Sequence, residues 1–194
     1  HDGSLVQAFN GLIDDVALYN RALEQSEIQQ HLHYLNNPNQ VNVDPYASNV
    51  VLLMHMNGSD GSAEFIDEKG HAVTANGDAE LSTSDSKFGG ASMSSSAPGD
   101  YLTIADEFDF GSGDFTVEFW ASLNNTGIIQ SLLQLGTLES GFRLYHYSSG
   151  IDFQHFGDPS CFLYAHEPSH AMETNSWNHY ALVRENGEIH LYYN

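Results

Sequence analysis

The sequence predicts an all-β chain, a two-sheet antiparallel sandwich with one short helix near the N-terminus. Three observations predict it. Short runs of strand-forming residues recur between turn signals from residue 49 onward, at the spacing of an all-β sandwich. The clearest of them, Asp114-Phe-Thr-Val-Glu-Phe-Trp-Ala121, alternates apolar and polar residues, as a strand with one buried face must. A helical period is found only once, after the first strand.

Taken in order, residues 6–16 carry strand propensity around an Asn10-Gly11 turn signal. Ser26 then offers a helix N-cap, Gln29 completes a capping box, and Ile28 with Leu32 makes an apolar face. Asn36-Asn37-Pro38 ends that helix, and residues 35–48 are a linker by composition, polar and holding Pro38 and Pro45. Strands follow at 50–56, 71–75, 91–95, 100–104, 114–121, 127–135, 141–147, 151–156, 177–184 and 188–193. The last two flank Glu185-Asn186-Gly187, a strong hairpin signal.

Composition bounds the function. The 194 residues, 41% apolar and 12% aromatic, suffice for the core of one domain, or of one domain and a fragment. The longest apolar run, Val50 to Met54, is strand-sized and far short of the roughly 20 residues that span a bilayer. His1-Asp2-Gly3 has no basic leader region and reads as an interior cut. Twenty-six acids against five bases give a net charge of -21. Such a surface repels phosphate, so nucleic acid and anionic membrane are poor partners. It attracts cations, and Ca²⁺ prefers carboxylate and carbonyl oxygens. Cys161 is the sole cysteine, so no intrachain disulfide forms, and its apolar neighbours mark it as a small core residue.

Several segments in order carry a family resemblance. Val51-Leu-Leu-Met-His-Met-Asn57-Gly-Ser-Asp60 and Phe65-Ile-Asp67 are followed by Asp100-Tyr-Leu-Thr-Ile104 and Phe115-Thr-Val-Glu-Phe-Trp120, then by Trp177-Asn-His-Tyr-Ala-Leu-Val-Arg184. Together they resemble the opening and body of a laminin-G-like/concanavalin A-like jelly roll, over nearly all of 49–194. Phe9-Asn-Gly11-Leu-Ile-Asp14-Asp15-Val-Ala-Leu-Tyr-Asn-Arg21, with the helix after it, is similar to the closing strand and last helical turn of the same family. The resemblance therefore implies three parts. Residues 1–34 are a closing strand and helix, 35–48 a linker, and 49–194 a jelly-roll module lacking its own closing strands. On the order of 20 residues separate Asn194 from anything resembling His1 in a complete module. Either a tandem array is cut in the middle, or residues 1–34 dock on the body as its missing edge; a tandem origin is favoured. An open sheet edge would recruit a strand, from the same chain or from another copy.

Candidate sites follow. His166-Glu167-Pro168-Ser169-His170 matches the zincin pattern, but a proline inside the turn that must align both histidines breaks the helix. Glucanase relatives of the resembled family pair carboxylates on one strand face; here Glu107 and Asp109 are followed by no second glutamate, and Glu118 reads as a solvent-facing or hydrogen-bonded carboxylate. His146, His155 and His179 fall at strand spacing and read as polar-face residues, and His31 and His33 do not share a helix face. The aromatics Phe142, Tyr145, Tyr147, Phe153, Phe156 and Tyr164 include candidates for stacking on sugar rings, most of them core by alternation. The resemblance further implies a structural Ca²⁺ tying the opening loop to the closing strand, with Asn57 and Asp67 on one side and Asp14 or Asp15 on the other; the competing explanation is turn capping by Asp and Asn.

The expected function is a non-catalytic recognition or adhesion module of a larger extracellular or virion surface protein, which binds glycan or a surface protein and does not insert in membranes. A purely structural spacer or decoration domain, or a carbohydrate-active enzyme domain, are the alternatives.

Overall fold

The computed structural model describes residues 7–35, 46–104, 108, 110–136, 141–147, 150–156 and 173–193. Most of the expected linker, Glu107, Asp109, Cys161, Tyr164 and the His166–His170 stretch lie outside them, as do the side chains of His33, Tyr147, His155 and Phe156.

In chain order the described elements are β1 (Gln7–Ala8), β2 (Gly11–Tyr19), α1 (Gln25–Leu35), β3 (Val50–Met54), β4 (Val73–Asn76), β5 (Glu80–Ser82), β6 (Ser92–Ser95), β7 (Tyr101–Ile104), β8 (Phe115–Leu123), β9 (Gln130–Gly136), β10 (Gly141–Tyr147), β11 (Gly150–Phe156), β12 (Trp177–Glu185) and β13 (Glu188–Tyr193). Each strand expected beyond residue 49 forms, with its ends adjusted. Two others, β1 and β5, are too short to show a period. The β12–β13 hairpin turns through Asn186 and Gly187, whose φ angles of 50° and 82° are the left-handed pair that the Asn-Gly signal demands.

One sheet runs β13-β12-β8-β2-β6-β5, with β3 also paired to β2. A second runs β1-β9-β10-β11, and β4 with β7 makes a two-stranded ladder. Ladders are antiparallel except the short β1–β9 pair. Val117, Phe119 and Leu182 of the first sheet pack with Leu132, Leu144, Ile151 and Phe153 of the second in a common core, which is the expected all-β sandwich.

Asn10-Gly11 does not turn the chain. Gly11 begins β2, and an added Cβ there would lie 2.2 Å from the Ser122 carbonyl oxygen. The glycine permits close approach to β8, not a hairpin. β2 then lies inside the sheet. It pairs with β8 on one side, while on the other its first residues pair with β6 and its last with β3. The N-terminal segment thus pairs with the body of its own chain.

Two local expectations are corrected. The helix starts earlier than Ser26: the Glu24 carbonyl accepts from the Glu27 and Ile28 amides, and the Glu24 amide donates to the Glu27 carboxylate at 2.7 Å. Half of a capping box thus forms from Glu24 and Glu27 in place of Ser26/Gln29, and the same Glu27 carboxylate meets the guanidinium of Arg21. Nor does β8 have one buried face. All nine of its residues are buried, since α1 covers its outer side over a second apolar cluster of Ala17, Tyr19, Leu23, Ile28, Val50, Ala181 and Val183.

Candidate functional site

Strand register builds the site on that outer face. Asp14 of β2 and His179 of β12 both sit opposite Trp120 of β8, so the three form one row. Ala17 and Ala181 flank Glu118 in the next row, and Tyr19 and Val183 lie nearest Thr116 in the third. In antiparallel ladders such neighbours share a face.

Glu118 is buried, with His31 Nδ1 of α1 2.8 Å from its Oε1 and His179 Nε2 3.4 Å from its Oε2. Burial alone would raise its carboxyl; hydrogen bonds from His179 and His31 overturn that and hold it well below the ordinary range. The solvent-facing alternative for Glu118 is thereby excluded. His146 and His179 are likewise buried, at 1% and 3% exposure, so the polar-face reading fails for both. Beside them, Thr116 Oγ1 accepts from the Leu23 amide at 2.8 Å and donates to the Arg21 carbonyl at 3.0 Å.

Trp120 is roofed by the 85–90 turn. Lys87 Nζ stands 3.9 Å above its ring and Phe88 meets it edge-on at 5.8 Å, a cation–π and aromatic pairing that suits a desolvated indole. Burial lowers the Lys87 ammonium. The turn is tied to β12 through Asp85, whose carboxylate accepts from Trp177 Nε1 at 3.2 Å.

Asp14 holds the same turn from below. Its Oδ2 accepts from the Lys87 and Phe88 amides, each at 2.9 Å. Its Oδ1 is buried with no hydrogen-bond partner in the protein. Burial, partly offset by the Phe88 amide and reinforced by the charge of Asp15, pushes the Asp14 carboxyl up to about 7. Asn57, exposed, reaches the turn at Gly89. There an added Cβ would fall 1.8 Å from Asn57 Oδ1, and φ is 61°, so the position is built for glycine.

The other two expected ligands are held differently. Asp15 sits in a left-handed conformation, φ 52°, where the β2–β8 register shifts. Its Oδ1 is 2.6 Å from His55 Nδ1, a bond that raises the imidazole's pKa. Asp67 has no exposed side-chain surface. Its Oδ1 accepts from the Leu53 amide at 2.7 Å, and its Oδ2 from the His71 amide and Nδ1 at 3.0 and 2.6 Å. Burial would raise this carboxyl, but those donors lower it. The structure therefore brings Asp14 and Asn57 to one turn, while Asp15 ties β2 to His55 just after β3 and Asp67 ties β3 to the 67–71 turn. Among the described residues, no three His, Cys, Asp or Glu side chains group in a way suited to a metal ion.

Sequence reasoning missed the Glu118–His31–His179 cluster and the Lys87 roof. The one signal available was His31 on the Ile28/Leu32 face of the helix. Of the candidate stacking aromatics, Phe153 is buried and Phe142 packs between it and Phe115, both in the core; Tyr145 is buried too, but its hydroxyl accepts from Arg143 at 2.8 Å.

A laminin-G family model, described as the concanavalin A-like lectin/glucanases superfamily, matches residues 95–194. No curated protein and no solved structure matches the chain. Among the described residues no helix is long and apolar enough to cross a membrane.

Proposed function

The chain belongs to the concanavalin A-like lectin/glucanase superfamily, and we propose that it serves as a non-catalytic recognition or adhesion module of a larger extracellular or virion surface protein, binding glycan or protein with calcium as a structural brace. The observation that carries the reading is Asp14: a buried carboxyl with one oxygen unpartnered, at the turn where the closing strand meets the opening segment.

An orphaned buried carboxylate oxygen is costly unless a cation or proton meets it. Calcium would be one such cation, a hard ion that takes oxygen donors. Asp14 Oδ1 and the Asn57 amide oxygen would supply side-chain ligands, with backbone carbonyls and water completing the shell of about six to eight oxygens. The ion would supply charge that keeps Asp14 ionised and would cross-link β2 to the loop after β3. Asp15 and Asp67, bonded to His55, Leu53 and His71, would hold the strands in register around it.

Glu118 supports the non-catalytic half of the reading. It is sealed beneath α1 by two histidines, whereas glycoside hydrolysis needs two carboxyls flanking a substrate, about 5–10 Å apart. The test begins with chelator-treated protein. Calcium should raise its melting temperature at pH 7.5, by the equivalent of about 3 kcal/mol at a hundredfold excess over Kd, and Asp14→Asn should abolish the rise. Retention on a glycan array or on a protein partner should then be lost in EDTA. Steady hydrolysis of a polysaccharide would overturn the proposal.

A further inference from the structure

We propose that Asn57 is a site of spontaneous covalent modification. Of the four Asn-Gly pairs in the chain, the fold leaves 57–58 free to close a succinimide ring, and the product sets a second carboxylate at the turn held by Asp14. The modification itself needs no metal; only its consequence for calcium rests on the calcium reading.

The pairs lie at 10–11, 57–58, 76–77 and 186–187, and the chemistry is the same at each. The glycine backbone nitrogen gives its proton to water and attacks the asparagine Cγ. The N–Cγ bond forms, the Cγ–Nδ2 bond breaks and ammonia leaves. Water then opens the ring at either carbonyl, giving aspartate or its β-linked isomer, and nothing is oxidised or reduced. Glycine favours the attack because it has no Cβ to obstruct the approach. Closure also turns the peptide plane between the two residues, so neither reacting group can be tied down.

Three pairs are tied. The Asn10 carboxamide donates to the Ser96 carbonyl at 3.3 Å and accepts from Asn124 at 2.8 Å, and Gly11 sits in β2 between β6 and β8. The Asn76 carboxamide reaches the carbonyls of Thr74 and Tyr101 and the Thr103 hydroxyl, at 3.3, 3.4 and 3.2 Å. Asn186-Gly187 is the centre of a two-residue hairpin turn between Glu185 and Glu188. Asn186 is left-handed there, and its amide donates to Asp114 Oδ1 at 2.8 Å. Turning that peptide plane breaks the hairpin.

Asn57-Gly58 differs on each count. Both residues are exposed and follow β3 outside any strand or helix. Among the described residues, neither the Asn57 carboxamide nor the Gly58 amide makes a hydrogen bond. The carboxamide is held only by its contact with Gly89, in the turn whose Lys87 and Phe88 amides donate to Asp14. A carboxylate formed there brings two acids to one turn, and they repel until a cation lies between them. Calcium affinity in turn rises with the number of charged ligands.

The test holds the full chain at pH 8.5 and 37 °C, beside a second sample in denaturing urea, and follows all four pairs by peptide mapping. In urea the pairs should convert at similar rates. In the folded chain Asn57 should convert at least tenfold faster than Asn10, Asn76 or Asn186. Gly58→Ala, whose added Cβ would meet the Leu81 side chain and no backbone, should slow Asn57 at least fivefold and leave the other three unchanged, with the melting temperature read alongside. Similar rates at all four folded pairs, Asn186 converting first, or Asn57 as slow as Asn10 overturns the proposal. Asn57→Asp, the aspartate product made directly, should melt lower than the parent in EDTA and gain more from calcium. Conversion at Asn57 as expected, with no larger calcium gain in Asn57→Asp, would uphold the modification and overturn the calcium reading.

Discussion

On the inner face of β8, Phe115, Val117, Phe119 and Ala121 pack into the common core; on the outer face, Thr116, Glu118 and Trp120 lie just as deep beneath α1 and the 85–90 turn. The two faces reach equal burial by different physics. Apolar burial is non-directional, so any residue of suitable volume serves. Polar burial is costly wherever a donor or acceptor finds no partner, and the partners found here come from afar: His31 from the helix, His179 from β12, the Leu23 amide from the segment joining β2 to α1; the Trp120 indole N–H and Asp14 Oδ1 are left without one. The inner face is specified by pattern, the outer face by assembly.

Substitution of Glu118 should break this comparison most forcefully. Glu118→Gln leaves the volume nearly unchanged but removes the charge between His31 and His179. A loss of about 3–5 kcal/mol is expected, read by chemical denaturation. Combining it with His31→Ala should cost clearly less than the sum of the two single changes; strict additivity would mean that the cluster does not act as a unit.

Proton linkage at Asp14 ranks next. Its folded pKa of about 7 lies above the ordinary 3.8, so between these values the native state binds more protons than the unfolded one. Stability therefore falls as pH rises from 4 toward 7, by up to about 4 kcal/mol from this group. Asp14→Asn should flatten that part of the profile, and saturating calcium should flatten it in the unmodified chain. A profile unchanged by Asp14→Asn would show that the carboxyl is ionised at little cost.

The smaller effects sharpen the contrast. Thr116→Val is nearly isosteric, yet it strands the Leu23 amide and the Arg21 carbonyl, at an expected cost of about 2 kcal/mol. One position along, Val117→Ile adds a single methylene on the apolar face, beside a cavity that Val117 helps to line, and should cost under about 1.5 kcal/mol. Paired melts of the two variants test the claim directly. If the valine substitution is the milder, the outer face is governed by volume after all.

Alternation, turn residues and the ordered motifs made the sandwich, its principal strands and the Asn186-Gly187 hairpin legible, because these depend on local periodicity. The capping residue of α1 was misread because Arg21 competes for Glu27, a contact across a turn. Residue type singled out Asp14, Asp15, Asn57 and Asp67 as candidate calcium ligands. It could not separate Asp14, left with a bare oxygen, from Asp67, whose oxygens take three donors. That difference is a matter of which amides arrive.

By itself, then, the sequence determined that this chain buries an apolar face on each main strand and closes as two β layers, because strand period is carried by neighbouring residues. Only the tertiary structure decided that β2 lies inside the sheet, that Glu118 is locked between two histidines, and that Asp14 keeps one oxygen bare. Each of these turns on pairing between residues tens of positions apart, and one-dimensional order does not encode which distant edge a strand will find.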